Sequence, residues 1–473
     1  MAHATEIVRD EVDAKPIAVS LADFASALTF DDLPAPVVER AKLHILDALG
    51  IALAASRYDY SHKTLTAIRG LAGEGEFPIV GMAAGLPYRD AAVMNGFLIH
   101  SLDYDDTHVA GVIHATASAV PVLLAAGQRH GASGKAALAA YVAAIETSAR
   151  IGMAAKGGFH KKGFHPTGLV GAFGAAIAAG RLSGLTASQI AHAQGVVYSM
   201  AAGNLEFLEE GAWTKRLHPG WAAASGITAA ALAQQGFAGP SAPYEGRFGL
   251  YATCTGDDTP IDVDLATHDL GSDWEMLRVG IKPYPACHLT HACADAARAL
   301  VAEHGLTPER IERITARVAG DCMPVVCEPL AEKQRPQSGY EAQFSLPYVV
   351  ASAILRDGLT LGDLEADAYA DGRALALCDK VICEPMAGSS YPTYFSGEVE
   401  ILTSDGETLT HREQVNRGAD ERPLSAEEII GKYRDNAALA LSSERVEQAL
   451  EAVMGLEEDA SDPAAIARLL SHA

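Results

Sequence analysis

The feature of this sequence that most restricts its fold is a series of segments in which alanine and glycine take the place of larger apolar residues. The four clearest are SGKAALAAYVAAIETSARIGMAA (133–155), TGLVGAFGAAIAAGRLSG (167–184), TASQIAHAQGVVYSMAAG (186–203) and PGWAAASGITAAALAQQGFAGP (219–240). The first three begin with Ser or Thr, which can cap the free N–H groups of a helix start, and the fourth begins with Pro. Because small side chains let helix axes approach closely, we predict a bundle of buried helices.

These helices are too short to suggest a membrane protein. The longest apolar run, GLVGAFGAAIAAG (168–180), falls short of the ~20 residues that a membrane span needs. The polar N-terminal segment predicts no signal peptide, and seven cysteines without a C-x-x-C pair are typical of reduced thiols. A formal net charge of -24 argues against nucleic acid and anionic membrane as partners. We therefore predict a cytoplasmic protein that binds neither.

Strand patterns appear among the helical ones in the second half of the chain. RIERITARVAG alternates as a strand does, and GEVEILTSDGETLTHREQV carries Asp405-Gly406 at the turn of a hairpin. The C-terminal segment is helical again. We predict a mainly α protein with a large all-helical domain, residues 1–267 completed by 414–473, and an inserted, smaller α+β lid domain, residues 268–413.

The stretch SLDYDDTHVAGVIH (101–114) concentrates acidic residues at Asp103, Asp105 and Asp106. It does not fit a calcium loop, because His108 stands where a Gly is needed and His114 where a Glu is needed. Apolar residues on both sides draw these carboxylates toward a packed edge, where they must be hydrogen-bonded, paired or protonated. From this context alone, a solvated turn and the acidic side of an active site both stay open.

Basic residues collect beside Gly and Pro at three places: KGGFHKKGFHPTG (156–168), WTKRLHPGW (213–221) and KPYPACHLTH (282–291). The first two lead into small-residue helices at His165 and His218, and a helix start favours a bound anion. Each residue alone is explained as a cap or as surface, but three similar clusters together indicate an anion site. The predicted substrate-binding residues are Arg216, Lys282, Cys287, His288 and His291.

Zinc is the other interpretation of the many histidines, and its support is weak. His288 and His291 have the i, i+3 spacing that can share a helix face, with Cys287 adjacent, but no H-E-x-x-H motif is present. The sequence also lacks a G-x-S-x-G elbow, a P-loop and a G-x-G-x-x-G motif. We therefore expect no metal and no cofactor, and a small anionic carboxylate as the substrate.

Five long segments in order resemble the MmgE/PrpD family, which includes 2-methylcitrate dehydratase, cis-aconitate decarboxylase and iminodisuccinate epimerase. They are NGFLIHSLDYDDTH, GFHPTGLVGAFGAAIAAGRLSGL, TKRLHPGWAAASGITAAALAQQGFAGP, KPYPACHLTHACADAA and AQFSLPYVVASAI. The resemblance runs from about residue 20 to 460 of the sequence. It implies a large helical domain with a smaller α+β lid domain, and a homodimer.

The resemblance also implies the catalytic residues, which are Asp103, Thr107, His114, His165 and Lys215. We expect Lys215 to stabilise negative charge or to transfer a proton, and His114 and His165 to serve as acid and base. Asp103 is expected to orient one of these groups or to accept a proton, and Thr107 to donate a hydrogen bond to the substrate. The decarboxylases of the family have a histidine at the position of Cys287.

All three family reactions place carbanion or enolate character beside a carboxylate. Such a reaction needs cations that spread the developing charge, together with a positioned acid and base. We therefore expect a cofactor-independent lyase that acts on a small di- or tricarboxylate, most simply a hydro-lyase like 2-methylcitrate dehydratase. The alternatives are an epimerase of a dicarboxylate such as iminodisuccinate, a cis-aconitate-type decarboxylase, and a non-catalytic anion-binding helical protein.

Overall fold

Helices dominate the computed structural model, which describes residues 15–458 and 461–472. The structure is 58% helix and 8% strand, so the predicted mainly α class is confirmed. The chain divides into two units. Unit 1 comprises the residues up to Val279 and those from Ser425 onward, and unit 2 comprises Gly280–Leu424. The lid role expected of residues 268–413 stays a prediction.

Unit 1 begins with a long series of helices. They are α1 (Ile17–Ala27), α2 (Ala35–Ala55), α3 (Asp59–Ala72), α4 (Tyr88–His100), α5 (Thr116–His130), α6 (Gly134–Ala154), α7 (Gly158–Lys161), α8 (Pro166–Leu182), α9 (Ala187–Tyr198), α10 (Phe207–Glu210), α11 (Thr214–Gln234) and α12 (Leu250–Cys254). Short strands β1 (Phe77–Pro78) and β2 (Gly85–Leu86) pair antiparallel, and β3 (Thr107–His108) lies between α4 and α5.

The helix starts follow the predicted caps in part. The hydroxyl groups of Ser133 and Thr186 accept hydrogen bonds from backbone N–H groups in the first turns of α6 and α9. His165 is the N-cap residue of α8, with Pro166 in the first helical position. The prediction that the fourth small-residue helix starts at His218-Pro219 is wrong. This helix, α11, begins at Thr214 and includes Pro219. Inside a helix, a proline lacks the N–H that would bond to the carbonyl four residues earlier, here that of Lys215, and its ring crowds that carbonyl.

The predicted close packing of small-residue helices centres on α8, which packs against α5, α6, α9 and α11. Nearly all of α8 is buried. A Cβ atom on Gly226 of α11 would lie 2.5 Å from backbone atoms of Ala175 and Ala176 in α8. Glycine is therefore required at this crossing, since any side chain would push the two backbones apart.

We expect Gly226→Ala to destabilise unit 1 by about 1–3 kcal/mol, the usual cost of overpacking a tight core. The matched control is Gly70→Ala in α3, where a Cβ would meet nothing within 4 Å. That change is expected to stabilise by about 0.5–1 kcal/mol through helix propensity. Urea unfolding of the three proteins measures both effects, and equal stability of the two variants would contradict the packing argument.

Unit 2 combines helices with a four-stranded sheet. Strand β4 (Val279–Gly280) lies where the chain passes from unit 1 to unit 2 and is not part of this sheet. The strands of the sheet are β5 (Ile311–Val318), β6 (Val381–Pro385), β7 (Gly397–Thr403) and β8 (Thr408–Glu413), in the order β6-β5-β7-β8. β5 and β6 are parallel, and the other two pairs are antiparallel. The predicted strand at RIERITARVAG and the predicted hairpin with Asp405-Gly406 at its turn are both confirmed.

The helices of unit 2 pack on this sheet around a buried apolar core. They are α13 (His291–His304), α14 (Met323–Val326), α15 (Leu330–Lys333), α16 (Gly339–Gln343), α17 (Leu346–Arg356), α18 (Ala366–Tyr369) and α19 (Gly372–Cys378). The chain then returns to unit 1 through α20 (Ala426–Ala437), α21 (Ser443–Met454) and α22 (Pro463–Leu470), and α20 packs on α2. Within the described residues, no helix has both the length and the apolar character that a membrane crossing demands.

Candidate active site

The acidic stretch between α4 and α5 lies inside unit 1 and not in solvent. Asp103, Asp105 and Asp106 are 8%, 1% and 2% exposed. The alternative of a solvated turn is therefore wrong. Asp103 has a φ of 51° in the left-handed region, which aspartate adopts more readily than most residues. Residues 103–107, which include these three aspartates, are here called the acid loop.

Lys215 holds the first residue of the acid loop. Its Nζ donates a hydrogen bond to Asp103 Oδ1 at 2.7 Å, and the two side chains are only 15% and 10% exposed. The neighbouring Arg216 donates from Nε to the carbonyl of Ser101 at 2.9 Å and stacks on the ring of Tyr60. The first turn of α11 thus places one ammonium group beside the loop and one guanidinium group against the backbone that precedes it.

This placement follows from the crossing of α4 and α11. A Cβ atom on Gly96 of α4 would lie 2.6 Å from the Cα of Gly220 in α11, so the two helices cross with almost no space between them. His100 ends α4 and Lys215 lies in the first turn of α11. The close crossing therefore brings the end of one helix beside the start of the other.

Two histidines have their orientation fixed by the acid loop. His100 Nδ1 lies 2.6 Å from Asp105 Oδ2. His114 Nδ1 lies 2.6 Å from the carbonyl oxygen of Asp106 and 3.3 Å from Thr107 Oγ1. Because a carbonyl oxygen only accepts, neutral His114 carries its proton on Nδ1 and leaves a lone pair on Nε2. This is the tautomer that a base or a ligand at Nε2 requires.

His165 and His218 complete a cluster of four imidazoles with His100 and His114, here called the histidine cluster. The ring centre of His165 lies 5.5 Å from that of His100 and 6.4 Å from that of His114. His165 Nδ1 and His218 Nδ1 are 2.9 Å apart, so one of them donates and the other accepts. Gly168 permits this approach, because a Cβ there would lie 2.9 Å from His218 Cβ.

Burial keeps part of the histidine cluster neutral. It lowers the pKa of His165 well below the ordinary value, and the neighbouring His100, Lys215, His218 and His114 lower it further. Burial, with smaller effects of His100 and Lys215, lowers the pKa of His218 to about 4. Both imidazoles are therefore uncharged near pH 7.

A buried lysine from the C-terminal part of the chain supports the acid loop from the other side. Lys432 Nζ on α20 lies 2.8 Å from Asp47 Oδ1 and donates to the carbonyl of Tyr104 at 2.9 Å. Burial raises the pKa of Asp47 to about 6, although Lys432 opposes this shift. Burial also raises the pKa of Asp106 to about 7, against hydrogen bonds from Thr116. The acid loop is thus largely shielded from water, and charges in such an environment interact strongly.

The structure brings together the five predicted catalytic residues in unit 1. Asp103 and Thr107 lie in the acid loop, Lys215 contacts Asp103, His114 contacts Thr107, and His165 lies against His114. Their assignment to catalysis stays a prediction. So does the contact of Arg216 with substrate.

The other predicted binding residues lie in unit 2. His288 Nε2 accepts a hydrogen bond from Asn416 at 2.9 Å, and His291 Nε2 donates to the carbonyl of Ala286 at 3.1 Å. Lys282 is 2% exposed and Cys287 is 9% exposed. Nε2 of each histidine thus bonds to the protein. A role of these four residues in substrate binding stays a prediction.

Four residues of the site were not assigned a role by sequence patterns. His100 and Asp105 are five positions apart, and such a pair across a helix end is a signal that could have been used. His218 was expected at a helix start, and no prediction was made of its hydrogen bond with His165. Lys432 lies in an ordinary amphipathic helix and gives no local signal.

Family models and curated relatives match this chain over most of its length. The models of the MmgE/PrpD N-terminal and C-terminal domains match residues 19–261 and 284–458. The cis-aconitate decarboxylase of Mus musculus is 31% identical over 96% of this chain and 93% of its own length. The cis-aconitate decarboxylase of Homo sapiens is 30% identical over 94% and 92%. The cis-aconitate decarboxylase-like protein oryM of Aspergillus oryzae is 26% identical over 96% and 97%.

Proposed function

Because this chain belongs to the MmgE/PrpD family, we propose that it is a cofactor-independent lyase that decarboxylates a small unsaturated tricarboxylate of the cis-aconitate type. The decarboxylase alternative replaces the hydro-lyase as the first choice, since the relatives with this activity in their names match nearly the whole chain. The single observation that carries the proposal is the buried Lys215–Asp103 pair beside the histidine cluster.

Decarboxylation of such a substrate has simple requirements. The bond to the departing carboxylate breaks, its electron pair moves into the adjacent C=C–carboxylate system, and the far carbon takes up one proton. A cation must stabilise the enolate-like charge while the pair moves. An acid must then deliver the proton to carbon. The products are carbon dioxide and a dicarboxylate with a shifted double bond.

The residues in unit 1 supply these functions. The ammonium group of Lys215 is positioned by its hydrogen bond to Asp103, and it stabilises the developing charge or delivers the proton. His114 offers Nε2 to the reacting groups, because its Nδ1 is bound to the Asp106 carbonyl. His165, held by His218, is the second acid/base group. Thr107 donates its hydroxyl hydrogen to a substrate carboxylate.

The test is a panel of polycarboxylates that includes cis-aconitate and 2-methylcitrate, followed by NMR in deuterated water. We expect carbon dioxide release from cis-aconitate and one solvent deuterium in the product. Loss of water without carbon dioxide would replace the proposal with the hydro-lyase. Deuterium exchange without elimination would indicate an epimerase, and binding without turnover would indicate the non-catalytic alternative.

Activity is expected to survive removal of metal ions, because protein groups supply the cation and the acid that the reaction needs. Dialysis against EDTA, followed by assay in metal-free buffer, should leave turnover unchanged. Protein dialysed without chelator is the control. Loss of activity that added Zn²⁺ or Fe²⁺ restores would contradict the proposed chemistry.

The homodimer and the cytoplasmic location also stay predictions.

A further inference from the structure

We propose that His100, Asp105 and His114 form an inhibitory binding site for a divalent transition-metal ion such as Zn²⁺. Each of the three residues offers one ligand atom, and these atoms lie within 4.8 Å of one another. Two imidazoles and one carboxylate are a donor set that Zn²⁺ and its first-row neighbours favour in proteins. The binding of the ion is independent of the proposed function, whereas the inhibition rests on it.

The carboxylate lies between the two imidazoles. Asp105 Oδ2 is 2.6 Å from His100 Nδ1, and Asp105 Oδ1 is 3.9 Å from His114 Nδ1. Ligand atoms around a tetrahedral zinc ion, each ~2.0–2.2 Å from the metal, are roughly 3.3–3.5 Å apart. The ligand atoms, which lie within 4.8 Å of one another, must therefore approach by on the order of 1 Å, and we propose that rotation about side-chain bonds brings them together.

A second observation concerns an unsatisfied buried atom. Among the described residues, His100 Nε2 is buried and has no hydrogen-bond partner. Buried polar nitrogen atoms are normally satisfied, and a bound metal ion is one group that satisfies an imidazole lone pair. Because Asp105 bonds to Nδ1 of this ring, the imidazole must turn about its side-chain bonds for Nε2 and the Asp105 carboxylate to bind the same ion.

Negative charge surrounds the three ligands, and one of them contacts solvent. Asp103 and Asp106 flank Asp105 in the acid loop, while Lys215 is already paired with Asp103. His100 and Asp105 are 1% exposed as whole residues. The side chain of His114 is 15% exposed, so it is the one ligand of the three with appreciable contact with solvent.

Occupation of this site is incompatible with catalysis by His114. A metal ion on its imidazole takes the lone pair that proton transfer needs. The ion also places a positive charge beside the ammonium group of Lys215. Zn²⁺ is therefore expected to inhibit, and removal of the ion is expected to restore activity.

The first arm of the test measures binding without any assay of activity. EDTA-treated, desalted full-length protein is titrated with Co²⁺, and the visible absorption of cobalt bound to nitrogen ligands is followed. We expect one Co²⁺ per chain and its displacement by Zn²⁺. Asp105→Asn, which keeps the shape of the side chain, and His100→Gln should each weaken binding by at least ~10-fold, the lower end of the loss caused by removing a supporting group.

The matched control is His160→Gln, since His160 is an exposed histidine of α7. This variant should bind Co²⁺ as the parent protein does. No cobalt spectrum in the parent protein, or a spectrum that both Asp105→Asn and His100→Gln leave unchanged, would overturn the site. Circular dichroism shows whether each variant is folded, and two independent variants guard against the loss of one of them.

The second arm measures turnover of cis-aconitate with increasing Zn²⁺. We expect inhibition that EDTA reverses and that occurs at the same concentrations as displacement of Co²⁺. Stoichiometric binding with full activity would overturn the inhibitory role. Normal Co²⁺ binding by a protein that turns over none of the polycarboxylates would instead contradict the proposed lyase and leave the metal site intact.

Discussion

Replacement of Lys215 with alanine is expected to lower kcat/KM for decarboxylation at least ~100-fold, the usual effect of losing one group that stabilises transition-state charge. The ammonium group lies 2.7 Å from Asp103 Oδ1 in a nearly buried pair. Because little water surrounds it, its charge acts on the substrate with little screening. Steady-state kinetics with detection of carbon dioxide measures the effect, and most of the loss should fall on kcat.

The controls for this experiment separate charge from folding. Lys161→Ala removes an exposed lysine from the neighbouring basic stretch and should leave activity unchanged. Lys215→Ala leaves Asp103 without its ion-pair partner, which destabilises a buried carboxylate. The double variant Lys215→Met/Asp103→Asn removes both charges and should stay folded but inactive. Full activity of folded Lys215→Ala would remove this residue from the mechanism.

The architecture could be predicted where local pattern decides it. Alternation and an Asp-Gly turn are sufficient to predict β7 and β8, because these two strands are neighbours in the sequence and pair with each other. The small-residue helices are likewise visible in the sequence, since a segment of alanine and glycine has few options other than close packing. The start of α11 was missed because Pro219 usually marks a first turn, yet here it lies one turn further inside the helix.

The contacts of the site could be predicted only in part, because they depend on how helices cross. Asp103 and Lys215 are 112 positions apart in the chain. Neither segment carries a pattern that predicts the helix crossing at Gly96 and Gly220, which brings these two residues together. Lys432 is 328 positions from Tyr104, and its helix is typical of any amphipathic surface helix. The family resemblance identified the catalytic candidates, whereas the supporting residues required coordinates.

Replacement of His165 with alanine is the second large effect, with an expected loss of at least ~100-fold in kcat, the scale of one acid/base group. His165 lies at the start of α8, 2.9 Å from His218 and stacked against His100. Alanine removes the acid/base group, and it also removes the ring that separates His100 from His218. Carbon dioxide release under saturating substrate measures the change in kcat.

The control His160→Ala removes an exposed histidine five positions earlier and should retain full turnover. His165→Gln tests position against chemistry, because an amide can keep a hydrogen bond to His218 but cannot transfer a proton at neutral pH. If His165 is an acid/base residue, His165→Gln is as inactive as His165→Ala. Recovery of turnover by the amide would show that His165 only positions its neighbours, and full activity of both variants would exclude it from the reaction.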